Sequence, residues 1–318
     1  MPAVESLLDR PATGVALRIV RRQVRDVAQA WKRLERRDAD ALHALRVALR
    51  RLRSTLRAYR AQVAGVVRKK DRRRLKAFAT ATGPARDAEI QIAHLDSLRA
   101  DAGPQERRTI ALVMRTLRRR TGDGHSVALD PHVPKVVRGL RRRIREANTS
   151  DVDASFGQVL GGLLRSHAEE LRPLLAPGGT PGTASLHQAR IAIKRVRYLL
   201  DPVRRSVPAS DVLLKRLSRL QDILGEIHDF EVLEATLRAA RATPAARVGV
   251  PALLRSVRTR QRHLFDEAIQ TGIGPNAELV LAPLELLAAR LCTRRHGPLQ
   301  LRAATRATPP VVVSGGGK

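Results

Sequence analysis

Leucine returns at intervals of three and four as Leu42, Leu45, Leu49, Leu52 and Leu56. That rhythm leaves a chain little choice but an α-helix with one apolar face. The same spacing runs through segment after segment, β-branched clusters are scarce, and Pro and Gly gather between the periodic stretches. The pattern predicts an all-α protein, with helices near 13–37, 40–63, 66–82, 84–100, 105–120, 132–147, 154–174, 184–206, 210–224, 227–241, 250–270 and 276–295. Between them, 176–183 (APGGTPGT) reads as a flexible joint, 121–125 (TGDGH) as a break, and 299–318 as a disordered tail.

The helix that carries those leucines also carries an unusual charge. Residues 41–60 hold six arginines, one histidine and no acid, and the acid-free run continues to Lys70. At about 100° per residue, His43, Arg46, Arg50, Arg53 and Arg57 share a stripe about 80° wide, directly beside the leucine stripe. Arg51 points away from both and reads as solvated. Like charges three and four residues apart destabilise a helix by roughly 0.2–0.5 kcal/mol per pair, and a Glu at some of these positions would reverse the sign. An ordinary solvent face has no reason to avoid acids. The missing counter-charge is therefore expected to come from a ligand.

The chain repeats this device. His43, Arg46, Arg50, Arg51 and Arg53 are matched position for position by His187, Arg190, Lys194, Arg195 and Arg197. The second row is flanked by Leu186, Ile193, Val196 and Leu200, and Arg195, like Arg51, is expected to be solvated. Beyond the motif the rows part: Asp201 stands where the first row has Arg57. Arg73 and Lys215 follow at equivalent places, each ahead of a glycine, Gly83 and Gly225, that leads to Asp87 and Asp229 respectively. The repeat divides the chain into a first half, 1–148, and a second, 149–298, with a junction near 148–153 and the tail beyond.

Charge bounds the partner. Sixty Lys+Arg against thirty Asp+Glu leave +30, a field that attracts any polyanion. Only eight of the basic residues are lysine, and the guanidinium fork grips phosphate or carboxylate oxygens through paired hydrogen bonds. Cys292, the single cysteine, excludes an intramolecular disulfide and a Cys-based zinc cluster and suits a reducing cytosol. The start, MPAVESLLDRP, lacks the basic and apolar regions of a signal peptide, and no apolar run reaches membrane-spanning length, so a cytoplasmic protein without membrane insertion is expected.

Catalytic readings are poorly supported. His228-Asp229 imitates a metal phosphohydrolase dyad, but the nine histidines show no spacing that supplies further ligands. Asp87 and Asp229 read instead as helix-end or salt-bridge partners that orient basic residues. The closing Gly315-Gly316-Gly317-Lys318 lacks the Ser/Thr and the helix of a P-loop. No cofactor and no enzyme activity are expected. Nucleic acid is the alternative partner, bound weakly through the same field; seven aromatics in 318 residues offer few stacking platforms, and no helix-turn-helix or finger signature is present.

The doubled H-x2-R-x3-[RK]-R-x-R motif on helices of an arginine-rich all-α chain, each followed by G-x3-D, resembles the CHAD family, the conserved-histidine α-helical domain, over roughly 10–298. The resemblance implies two four-helix-bundle-like halves related by a pseudo-twofold about a basic central cavity that binds inorganic polyphosphate, and association with polyphosphate granules. The acidic signature of the CYTH domain that accompanies many members is absent, so the chain looks like a stand-alone version. Carried over residue by residue, His43, Arg46, Arg50 and Arg53, with His187, Arg190, Lys194 and Arg197, are the implied anion-binding groups. Arg57 extends the first row, and Arg73 and Lys215 reach the same groove from its other wall. Each His lies near a helix N-terminus, where it donates to phosphate or adds charge when protonated. Residues 43 to 57 span about 21 Å at 1.5 Å per residue, a length suited to a linear polyanion. Oligomeric state is not legible.

Overall fold

The structure, a computed structural model, describes residues 6–38, 40–81, 83–121, 132–147, 154–176, 182–207 and 210–293. The first part of the chain forms α1 (Ala12–Glu35), α2 (Ala41–Ala58), α3 (Lys69–Ala81), α4 (Gly83–Leu98), α5 (Pro104–Thr121) and α6 (His132–Glu146). The second forms α7 (Phe156–Leu175), α8 (Thr183–Leu200), α9 (Ser210–Ala240), α10 (Val250–Gly272) and α11 (Glu278–Cys292). Short 3-10 turns at Leu7–Asp9, Asp201–Ser206 and Gly274–Asn276 and one helical turn, Pro244–Arg247, connect them, and no strand forms among the described residues. The fold is all-α. The expected junction at 148–153 and tail at 299–318 lie outside the described residues, as do 177–181 of the joint and 122–125 of the break.

The periodic apolar residues dock the helices as their spacing requires. Leu45, Leu49, Leu52 and Leu56 of α2 are each at most 1% exposed, and Ile193, Val196 and Leu200 of α8 are fully buried. α2 packs on α1, α3 and α8; α8 packs on α7, α9 and α2. Two further helix pairs recur in order: α1 on α6 and α3 on α6, then α7 on α11 and α9 on α11. Across the middle of the molecule the contacts run α1 to α7, α2 to α8, α4 to α9 and α5 to α10.

The entry to α7 shows how sequence sets this arrangement. Ser155 accepts from the Gln158 N–H at 3.2 Å while the Gln158 side chain accepts from the Ser155 N–H, a capping box that fixes the first turn. Just before it the chain makes an antiparallel bridge to the entry of α1: the Ala12 N–H donates to Ala154 O at 3.0 Å, and the Phe156 N–H donates to Arg10 O at 2.9 Å. The bridged residues, Pro11 and Ser155, are 144 positions apart, the same offset that separates His43 from His187.

Three boundaries differ from expectation. Helix α9 runs unbroken through Gly225, where two helices were expected, because Leu224, Ile227 and Phe230 continue its buried face past the glycine. In the first half the chain does break, α3 ending at Ala81 and α4 starting at Gly83. Helix α2 stops at Ala58 rather than near 63, since Tyr59 turns inward, fully buried, with its ring 5.5 Å from that of Phe156. Helix α8 ends at Leu200 and tightens to 3-10 at Asp201, where Pro202 supplies no N–H for the next α-helical bond.

One buried ion pair sets the position of α3. Asp71, 3% exposed, accepts from Arg143 of α6 at 2.5 Å and from the Arg68 N–H at 3.1 Å, while Arg143 Nε donates to Val66 O at 2.7 Å. The carboxylate thus caps the start of α3 and ties it to α6. The exposed, basic side of α3 is left facing α2.

Candidate anion-binding cleft

Helices α2, α3, α7 and α8 enclose a cleft of about 740 Å³. Ten Lys or Arg side chains line it, and no Asp or Glu among the described residues does. Arg50, Arg53 and Arg57 come from α2, with Arg60 just beyond its end; Lys69, Arg72, Arg73 and Lys76 come from α3; Lys194 and Arg195 come from α8. Ser54, Ser166 and His167 add neutral or titratable hydrogen-bonding groups, and Leu163, Ile191 and Tyr198 form part of the apolar wall.

The geometry arises from the helical phase. In α2 the leucines hold one face against the core, so the arginine row one residue later lies along the seam, half buried except at its ends, His43 and Arg57. Packing α8 against α2 brings the second row to the first: Lys194 feels Arg50 and Arg53 across the interface as well as Arg190 and Arg195 on its own helix. Burial, first, and these cations push the Lys194 ammonium down to about 8. Burial and then Arg57 and Arg50 hold Arg53 below its ordinary value, and burial and then Arg60 do the same to Arg72. Guanidinium groups remain charged under any physiological condition, so the cleft concentrates cations that repel one another.

Their hydrogen bonding is incomplete. Among the described residues, Arg50, Arg53, Arg57, Arg72, Arg73 and Lys194 form no ion pair. Arg72 buries Nε and Nη2 without a partner, and Arg46 Nη1 and Arg197 Nε are likewise buried and unpaired. Buried polar groups in folded proteins are nearly always satisfied, by protein or by something bound. An arrangement of forked donors with no protein acceptor matches an oxyanion.

Five of the residues expected from sequence meet in the cleft: Arg50, Arg53, Arg57, Arg73 and Lys194. The other six do not line it. His43 and Lys215 are exposed, and Arg197 is half buried. Arg46 sits one turn before Arg50, lowered by burial and by Arg50 and supported by Asp87 of α4. Arg190 lies against α9 beside Gly225, its Nε 3.5 Å from where a Cβ would stand, an ordinary van der Waals contact. His187 meets His228 ring to ring, tilted by 51° with centroids 4.9 Å apart. Burial, His228 and Arg190 keep its imidazole below the usual range and hence neutral near pH 7, so it contributes no charge there.

Arg195 is a correction. Expected to be solvated, it lines the cleft and pairs with Glu170 of α7, because α7 packs closely enough on α8 to cover that side of the helix. Asp229 lies in mid-helix, which corrects the helix-end alternative of its reading and leaves that of a partner to a basic residue: burial raises its carboxyl against the pull of Arg190. Arg60, Lys69, Arg72 and Lys76 were not singled out. The signal existed, since Lys69, Arg72, Arg73 and Lys76 recur at the same uncompensated helical spacing as the first row. No set of three or more His, Cys, Asp or Glu side chains converges as metal ligands among the described residues, and no helix there is long and apolar enough to cross a membrane.

Fold and cleft together define an all-α protein with a cationic groove between packed helices. The chain belongs to the CHAD family, whose domain profile matches residues 18–238. The crystal structure of the CHAD domain from the plant Ricinus communis is similar, with a TM-score of 0.60 at 19% identity over 91% of this chain and 94% of that one. PptA from Streptomyces chartreusis is similar, with a TM-score of 0.61 at 20% identity over 82% of this chain and 99% of that one. Identities this low establish the shared fold. No protein of curated function matches the chain.

Proposed function

We propose that this protein binds inorganic polyphosphate in the cleft between α2, α3, α7 and α8, and performs no chemistry on it. The observation that carries this reading is the ten-cation lining without a carboxylate. A single phosphate would satisfy two or three of those donors, whereas a linear chain of phosphates can run from Arg57 and Arg53 of α2 across to Arg72 and Lys76 of α3 and to Lys194 of α8. Its charge replaces the acids that both helix rows omit.

The two-halves reading, 1–148 and 149–298, is part of the proposal. In a twofold arrangement each element near the axis meets its own counterpart. The contacts α1 to α7, α2 to α8 and α5 to α10, and the reciprocal bridge at Pro11 and Ser155, fit that rule. The cleft itself is lopsided, taking three α2 arginines but only Lys194 and Arg195 from α8, so α3 supplies what a second matching row would have given.

Competition titration at physiological salt tests the function: labelled long-chain polyphosphate is displaced by unlabelled long chains, short chains, orthophosphate, ATP, duplex DNA or single-stranded RNA. Long polyphosphate is expected to displace the label at the lowest phosphate concentration. Equal displacement by duplex DNA, phosphate for phosphate, would make this a general polyanion binder and refute the reading. Association with polyphosphate granules follows from the same site, and imaging a tagged chain beside its Arg50→Glu/Arg53→Glu variant tests it.

A further inference from the structure

Three lysines line the cleft. Lys69 and Lys76 stand exposed on α3, while Lys194 is partly buried on α8. Arg50 and Arg53 face it from α2, Arg190 and Arg195 flank it on its own helix, and α3 presents Arg72, Arg73 and Lys76 across the cleft. From α7 come His167 and Glu170, both taken up locally: Glu170 accepts from Arg195 and lies 3.1 Å from His167 Nδ1. Helix α9, behind α8, turns His228 and Asp229 toward His187 and Arg190 instead. Lys194 therefore has an amine, no carboxylate partner, and a ring of phosphate-binding forks around it.

We propose that Lys194 is a modification site, its Nζ taking an acyl group from an acyl phosphate that the cleft captures by its phosphoryl end. The inference rests on the phosphate-binding reading of the cleft. The neutral amine attacks the acyl carbon, the new N–C bond forms as the C–O bond to phosphorus breaks, and orthophosphate leaves with the bonding pair; the proton lost by nitrogen passes to phosphate or water. No electrons are transferred. The resulting amide is uncharged, so the cleft loses a cation and a donor site where the two helix rows meet. Acylation thereby weakens polyanion binding, and a bound polyanion shields the amine.

The environment also prepares the nucleophile. With its ammonium pushed down to about 8, Lys194 at pH 8 holds roughly two orders of magnitude more neutral amine than an ordinary lysine. If amines follow a Brønsted dependence like that of thiols, the lower basicity takes back about one order in reactivity, leaving about a tenfold gain.

The test treats the full chain with acetyl phosphate at pH 8, with and without long-chain polyphosphate, and reads each lysine by peptide mass spectrometry; acetic anhydride serves as the uncharged reagent, and polyphosphate binding is titrated separately. Lys194 is expected to react about tenfold faster than exposed Lys215, with a larger lead for acetyl phosphate than for the anhydride, and polyphosphate should suppress that lead. Equal rates at Lys194 and Lys215 with acetyl phosphate overturn the inference; the functional reading survives that result if polyphosphate still binds, and falls with it if polyphosphate does not. Equal leads with both reagents also overturn it, since the amine would then be reactive without delivery by the cleft.

Discussion

Replacing Arg53 by Gln should make the free protein more stable and its ligand weaker at the same time. Arg53 stands three residues after Arg50 and four before Arg57, so it takes part in two like-charge contacts on one helix face, and its guanidinium is half buried without an ion pair. Removing two such contacts returns about 0.4–1 kcal/mol, before any relief of desolvation, which for a chain of this size is about 1–3 °C in Tm. Losing one charge-assisted hydrogen bond to phosphate costs about 1.5 kcal/mol of binding, roughly tenfold in Kd. The slope of log K against log salt should become shallower by about 0.7, the value for one contact to a single-stranded polyanion. Thermal unfolding without ligand and fluorescence titration at several salt concentrations measure the two effects. Arg51→Gln is the control: Arg51 is exposed and has no cation at i±3 or i±4, so both readouts should stay put. An Arg53→Gln protein with a lower Tm and unchanged affinity would mean that the arginine holds the fold together rather than awaiting a ligand, and the reasoning would fail.

Binding should also be linked to protons through Lys194, whose ammonium in the free protein is pushed down to about 8. A bound polyanion raises it again, so complex formation takes up a proton; affinity is fully present below pH 8 and falls by up to tenfold per pH unit above it. Titration calorimetry at pH 9 in buffers of different ionisation heat reads that uptake, and zero uptake would exclude Lys194 from the contact. Arg143→Met should destabilise the fold by about 3 kcal/mol or more in urea unfolding, because it strands the buried Asp71 carboxylate; adding Asp71→Asn should recover part of the loss. Gly161→Ala should cost about 1–3 kcal/mol, since the new Cβ would lie 2.9 Å from Ala288 O and Cys292 N and force α7 away from α11. Wild-type stability in that variant would contradict the close approach.

Much of this was legible in the order of residues. The 3–4 spacing of Leu45, Leu49, Leu52 and Leu56 determined that α2 is a helix and which face it buries, and it put Arg50, Arg53 and Arg57 beside that face, because side-chain direction in a helix follows from backbone periodicity alone. The doubled motif put the same spacing of cations on α8 as on α2. Periodicity says nothing about what covers a given face. Whether Arg195 meets water or Glu170, whether the chain breaks at Gly225 or runs on through it, and which end of each row opens into the cleft depended on the packing of α7, α9 and α3, whose positions are set by long-range contacts such as Arg143 with Asp71 and Pro11 with Ser155. The row of charge is a local property and was written in the sequence; the cleft is a relation between four helices, and only their tertiary packing created it.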